Sequence, residues 1–316
     1  MGAQTLSSRA IIGSFYARLE QEVGGWAGAI SMYFTSDQAM ETYPWLGQAP
    51  KMREWVGGRQ AKGLKENQVT AINVHYESTM LILVADLRRD KTGQILVRVG
   101  EQVTRANAHW SSLLSTLIAG GATAVCYDGQ YFFDTDHSEG DSGAQSNKIS
   151  VDISALPAVA HGVITAPSVE EMQQCILQAI QKILGFKDDV GEPMNELARQ
   201  FLVMVPTTLW GMAVSAITNP IITSGQTNLL KNLENLQIQP AINTRLDASW
   251  TDTFAVFRTD GSVKPFIRQE EQGIKVDAVA EGSEFEFDNA AHKYGLDTWR
   301  TTQYGYWQHG CQVIMT

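Results

Sequence analysis

The chain has 316 residues, with 24 Lys+Arg against 34 Asp+Glu, a net charge of −10 and a pI near 5.1. That length holds two ordinary domains or one elaborate one, and the acidic balance argues against a protein that grips nucleic acid over a broad surface. Charged residues make up 18%, below the roughly 25% of an ordinary soluble domain, as expected where partners cover much of the surface.

Three widely spaced cysteines, Cys126, Cys175 and Cys311, with no CxxC pair, predict neither a disulfide framework nor a cysteine zinc site, and fit a reducing compartment. The start, MGAQTLSSRA, lacks the apolar stretch of a signal peptide, and Leu6 stands where a myristoylation signal needs Ser or Thr. Residues 200–230 carry no charge, but Pro206, Asn219, Pro220 and Gln226 interrupt them, so no membrane span is expected.

Ser8 heads a predicted short helix in which Ile11, Phe15 and Leu19 recur every four residues before Gly24-Gly25. The aromatic, irregular stretch to Pro50 then reads as an arm that packs along something else. From Ile72 the sequence alternates: Ile72, Val74, Tyr76, Ser78, Met80, Ile82 and Val84 share one face. The other face begins with Asn73, His75, Glu77 and Thr79 and turns apolar at Leu81 and Leu83. Such a strand spans roughly 40 Å at about 3.3 Å per residue. Paired with the preceding Met52, Trp55, Gly57-Gly58 stretch it makes a projecting hairpin, which needs another surface beneath it.

Residues 90–119 predict one long spine helix of roughly 40 Å, with Ile95, Val99, Val103, Ala106, Trp110, Leu113 and Leu117 in a stripe and Gly120-Gly121 as its stop. Ser168-Val-Glu-Glu171 is a capping box that opens a second helix, which ends at Gly185. FLVMV at 201–205 reads as a strand, 208–217 as a third helix, and the texture from about 241 as β. The β stretches include Ile242–Trp250 and the Phe285/Phe287 alternation with acids.

The segment from Cys126 to Asp141 is the best candidate for chemistry. Asp134, Asp136 and His137 offer metal-ligand atoms, and a metal-dependent hydrolase built on them is the alternative to a structural protein. As a calcium loop from Asp134 the pattern fails, with Glu139 at its sixth position and Gln145 at its twelfth. The structural reading is a turn: Asp128-Gly129 for a tight reversal, Asp and Ser side chains bonding their own backbone, and Asp134, Asp136 and His137 structural members of it. The Gly58–Lys65 run lacks the lysine and Ser/Thr of a phosphate loop, no nucleophile elbow or HExxH helix exists, and the six histidines never fall at ligand spacing. Trp299, Trp307, Tyr294, Tyr304 and Tyr306 read as core. No catalytic residue, cofactor or metal is expected.

These residues carry a resemblance. Tyr76-Glu77-Ser-Thr, Leu87-Arg88-Arg89-Asp90-Lys91, the spine helix, and Cys126-Tyr-Asp-Gly-Gln-Tyr-Phe-Phe-Asp-Thr-Asp-His137 with Ser146-Asn147 resemble the major head subunit of Mu-like phages. The ending Tyr294-Gly-Leu-Asp-Thr-Trp-Arg…Tyr304-Gly-Tyr-Trp-Gln308 is similar too. The family's acidic cluster at the start of the spine is replaced here by Arg88-Arg89-Asp90-Lys91. The resemblance implies an α+β chain with the tailed-phage major capsid fold of Hong Kong 97 type. Residues 1–50 would be its N-terminal arm, 51–86 an extended β-hairpin loop, 87–160 with 262–316 a peripheral domain, and 161–261 an axial domain.

It further implies self-assembly into hexamers and pentamers of an icosahedral head around double-stranded DNA, which is packaged without specific binding. Expected contacts between subunits are Phe15, Trp26, Trp55, Arg59, Lys62, Lys65, His75, Glu77, Arg88 and Arg89. Implied partners are a separate scaffolding protein, a maturation protease, the portal and a decoration protein, with no membrane. The location is the virion shell, preceded by the host cytoplasm. An apolar, aromatic arm beginning within the first ten residues is expected to be retained at maturation, unlike a charged, disposable scaffold.

Overall fold

The computed structural model describes residues 7–19, 25–43, 69–90, 92–221, 225, 227–228, 230–233 and 235–316. In chain order come α1 (Ser8–Leu19), α2 (Trp26–Ala29), β1 (Ser31–Thr35), β2 (Met40–Tyr43), β3 (Val69–Ile72), β4 (Val74–Leu83), α3 (Val84–Arg89), α4 (Gln94–Asn107) and α5 (His109–Ala119). Then follow β5 (Lys148–Val151), α6 (Val169–Gly185), β6 (Gln200–Val205), α7 (Thr207–Thr218), β7 (Gln237–Ile242), β8 (Thr253–Arg258), β9 (Phe266–Val279), α8 (Glu284–Asn289), β10 (Ala291–Tyr304) and β11 (Gly310–Met315).

The first helix buries Ser8, Ile11 and Phe15, the side its spacing picks out. Its cap is Ser7 rather than Ser8: the Ala10 N–H donates to the Ser7 carbonyl at 2.9 Å and approaches its hydroxyl at 3.4 Å. The Ser8 hydroxyl instead lies 2.7 Å from that of Tyr294. The aromatic stretch behind it is less of a free arm than its sequence implies. β1 runs parallel to β9 at the edge of a four-stranded sheet ordered β1-β9-β10-β4, and β2 pairs with β3 in a ribbon of their own.

The alternating run is divided at Asn73. Residues 69–72 pair with β2, while 74–83 pair antiparallel with β10, from Leu83↔Ala291 to Val74↔Arg300. Asn73 is buried but fully engaged: its N–H donates to the Ala39 carbonyl, its side-chain amide to the Gln38 carbonyl, and its Oδ1 accepts from Gln269. A satisfied buried amide lets the chain leave one ladder and enter another. So β4 is no isolated ribbon; it is the outer strand of a sheet belonging to its own chain. Any pairing with residues 51–68 lies outside the described residues.

The spine is two helices, broken at Ala108. Asp90 opens it, its carboxylate accepting N–H donors from Thr92, Gln94 and Ile95 at 3.0–3.2 Å; these bonds, Ile95 first, hold its carboxyl below the usual range. α4 buries Ile95, Val99 and Val103, as its periodicity requires, but α5 buries Leu114, Ser115 and Ile118 instead of Leu113 and Leu117. The stripe slips by one residue because the halves face different cores. α4 packs with α1, Ile82, Val276, Tyr294 and Leu296, whereas Leu114 and Ile118 join the main core. Just past the break, the buried Arg300 lies 4.7 Å from the Trp110 ring and 3.3 Å from Glu270, tying α5 to the long sheet. Gly120 has φ −78°, so no left-handed cap ends the helix. Gly121 is needed for space, since a Cβ there would meet Phe133 at 2.7 Å.

The main core surrounds a five-stranded mixed sheet, β5-β11-β8-β6-β7, covered by α6 and α7. Val203, Val256, Cys311 and Val313 are fully buried at its centre. The Ser168–Glu171 capping box forms as its sequence predicts, and FLVMV is the buried β6. Two β expectations are corrected. Residues 243–250 form a short 3-10 turn and loop whose Asn243 side chain accepts from the Arg245 N–H. The Phe285/Phe287 alternation is the helix α8, because Ser283 caps the Glu286 N–H at 3.2 Å.

Candidate functional site

The Cys126–Asp141 segment builds a buried clasp. Gly129, at φ +87°, makes the tight reversal at Asp128-Gly129, with its N–H on the Cys126 carbonyl and the Cys126 N–H on Gln130. The reversal turns the Asp128 carboxylate inward, where Oδ1 accepts from the Cys126 thiol at 2.9 Å and Oδ2 lies 2.6 Å from His137 Nδ1. Both side chains of the His137–Asp128 pair are essentially inaccessible. The imidazole stacks on Trp307, centroids 4.0 Å apart at 8°, and its Nε2 sits 3.3 Å from Asn147 Oδ1.

Asn147 is held in turn by donating to the carbonyls of Phe132 and Trp307 and accepting from the Asp134 N–H. Both imidazole nitrogens therefore face oxygen atoms, Asp128 on one side and Asn147 on the other. Burial opposes the Asp128 charge, but the bonds from His137 and Cys126 hold its carboxyl below the usual range. Burial, reinforced by the Asp128 charge, pushes the Cys126 thiol up, so it stays a thiol.

The ligand-type atoms of Cys126, Asp128 and His137 lie within 4.8 Å of one another, the single such group among the described residues. They already satisfy one another, and the arrangement serves to pin the loop to the Trp307 turn. The hydrolase alternative needed Asp134, Asp136 and His137 to converge, and they do not. The Asp134 carboxylate accepts from the Tyr131 and Thr135 N–H groups, and Asp136 is exposed, without a bond to any described residue. Sequence reasoning missed Asp128 as the partner of His137. The available signal was the Asp-Gly pair itself, which folds the acid back toward a histidine nine residues on.

The expected contact residues divide. Phe15 is fully buried in its own chain, which closes its side chain to a neighbour, while Trp26 is half-buried against the main core. His75 stacks on Trp299 at 4.6 Å and lies 3.5 Å from Asp297, and Glu77 accepts from the Thr79 hydroxyl; both are exposed on the outer strand. Arg88 and Arg89 are exposed in the last turn of α3, where they complement the helix dipole. Trp55, Arg59, Lys62 and Lys65 lie outside the described residues. The three cysteines are free and buried, and no helix among the described residues is long and apolar enough to cross a membrane.

Against known proteins, residues 9–158 match the family described as Mu-like prophage major head subunit gpT. Over 122 residues the chain is 32% identical to the Mu-like prophage FluMu major head subunit of Haemophilus influenzae, covering 39% of this chain and 40% of that one. Over 108 residues it is 33% identical to the major capsid protein of Escherichia phage Mu, covering 34% and 35%. The chain thus spans about 40% or less of the length of the curated relatives it matches. Its backbone superposes on a chain from the procapsid of bacteriophage JBD30 with a TM-score of 0.56 at 20% identity, covering 98% of this chain and 76% of that one. The fold is the tailed-phage major capsid fold. The Mu-like resemblance read from the sequence stands, and the relatives that carry it are named as a major head subunit and a major capsid protein.

Proposed function

We propose that this chain is the shell subunit of a phage head, a structural protein whose copies associate as hexamers and pentamers into an icosahedral shell around packaged double-stranded DNA. The observation that carries this is the family match over residues 9–158. It takes in α1, the outer strands β1 and β4, both spine helices and the buried clasp as one contiguous unit. A low charge content and a long sheet with one outer face in water are what a subunit surrounded by its own copies requires.

In this arrangement residues 1–50 serve as arm, 51–86 as extended loop, 87–160 with 262–316 as peripheral domain and 161–261 as axial domain. The five-stranded sheet joins the last two, since β11 pairs with β8. A scaffolding protein, a maturation protease, a portal and a decoration protein are the partners such a subunit meets, first in the host cytoplasm and finally in the virion. The net charge of −10 keeps DNA phosphates from adhering to the wall. Gel filtration and electron microscopy of the purified chain, alone and with its scaffolding protein, test this. Rings or closed particles are expected; a chain that stays monomeric in both preparations overturns it.

A further inference from the structure

A groove of about 930 Å³ runs along one edge of the five-stranded sheet. Ile149 and Ser150 of β5 lie on one side of it, Gln178 and Lys182 of α6 on the other, with Gln145 and Lys187 at its end. Among the described residues β5 pairs only with β11. The Asn147 carbonyl accepts from the Gln312 N–H and the Val151 carbonyl from that of Thr316. Residues 147, 149 and 151 therefore turn their backbone groups toward β11, and 148 and 150 turn theirs outward. Lys148 is already engaged, its N–H on the Asp134 carbonyl at 3.2 Å and its carbonyl taking the Ser146 hydroxyl at 2.6 Å. Ser150 is exposed, and its N–H and carbonyl stand at an edge to which a further strand can add.

The end of the groove is tied in advance. The Gln145 side chain imitates a strand partner for Lys187, its Oε1 accepting the Lys187 N–H at 2.7 Å and its amide donating to the Lys187 carbonyl at 3.0 Å. This fixes the loop to the exit of α6, so less ordering is left to oppose binding. In a chain of net charge −10, Lys182 and Lys187 line the groove and no carboxylate does. Both lysines are exposed, and neither joins an ion pair among the described residues. The acids beside it, Asp134 and Asp188, turn their carboxylates onto backbone N–H groups of Tyr131 and Thr135 and of Val190 and Glu192. The chain's own alternating acids, Glu284, Glu286 and Asp288, are folded into α8 and do not form a strand.

We propose that this groove receives an acidic, extended segment of a separate protein, added as a further strand on β5. Such a strand presents every second side chain to the α6 side, where carboxylates meet the Lys182 and Lys187 ammonium groups. The site is complete within one copy, so the proposal stands or falls apart from shell assembly.

The test uses the purified, unassembled chain and a fluorescein-labelled nine-residue peptide that alternates threonine with glutamate, read by fluorescence anisotropy. Saturable binding is expected, at least tenfold weaker when lysine replaces the glutamates. Lys182→Glu with Lys187→Glu should also weaken it at least tenfold, with thermal unfolding unchanged. Methylating alternate backbone nitrogens of the peptide, in one of the two possible registers, should do the same while leaving its charge and the protein untouched. No saturable binding overturns the proposal, as does binding that either the charge reversal or both methylated registers leave intact. Displacement of the peptide by an equal concentration of a short DNA duplex overturns it too, because the groove would then hold anions without regard to a strand.

Discussion

The two hydrophobic regions of this molecule are built to different standards. Around the five-stranded sheet, helices, the clasp loop and the Trp307 turn close a core on all sides, with β6, β8 and β11 buried almost end to end. Beneath the outer end of the long sheet α1 and α4 supply the cover, and the cluster there has ten buried hydrophobic side chains among the described residues. The other face carries Leu81, Leu83 and Val279 in water. A closed core holds a subunit together alone, whereas a half-covered sheet finishes its burial only against something else. The break at Ala108 lies where the chain passes from one regime to the other.

The contrast can be broken most directly at Phe257, which is fully buried in the main core. Phe257→Ala should lower stability by about 4 kcal/mol, read as a fall in the denaturant midpoint of the entire chain; a loss confined to the sheet edge would deny that this core governs the fold. Next in size is the clasp. Asp128→Ala removes the buried acceptor that faces both His137 and the Cys126 thiol and should destabilise by roughly 3 kcal/mol, with no change in metal content by elemental analysis. Stoichiometric zinc that vanished in the variant would make the clasp a metal site.

A third test uses pH. Burial, with Arg258 next in effect, lowers the pKa of His309 to about 3. The unfolded chain takes up this proton near pH 6.5 while the folded one does not, so stability should fall as pH drops from about 6.5 toward 3. The slope is about 1.4 kcal/mol per unit, or roughly 2 kcal/mol by pH 5. The Asp128 carboxyl, held low, loses its contribution only below about pH 4. A His309→Gln chain with the same slope between pH 6.5 and 5 as the parent would place the sensitivity elsewhere. The smallest effect belongs to the thin cluster: Ile11→Val should cost about 1 kcal/mol. Hydrogen exchange should show it as faster opening of α1 and α4, with β6 and β8 unchanged.

Much of this was legible because it depends on neighbours in sequence. The Ser168 capping box, the buried run of β6 and the Asp128-Gly129 reversal are local devices, and each stands where its residues predict. The Mu-like resemblance was readable for the same reason, since the clasp string and spine lie in one stretch. What failed was the reading of alternation. Residues 284–288 alternate like a strand, yet a Ser283 cap and acids in the first turn make them a helix. The single stripe over 90–119 is a repeat that two different cores share out between them.

Composition and periodicity therefore determined the elements, the closed turn at Asp128 and the expectation of a partnered surface, because those follow from side chains within a few residues of one another. The tertiary structure alone decided that β4 lies on β10, that His137 meets Asp128 under Trp307, and that the spine breaks at Ala108. Each of these joins groups brought together only when separate stretches share one core, and local propensity carries no information about which stretches those are.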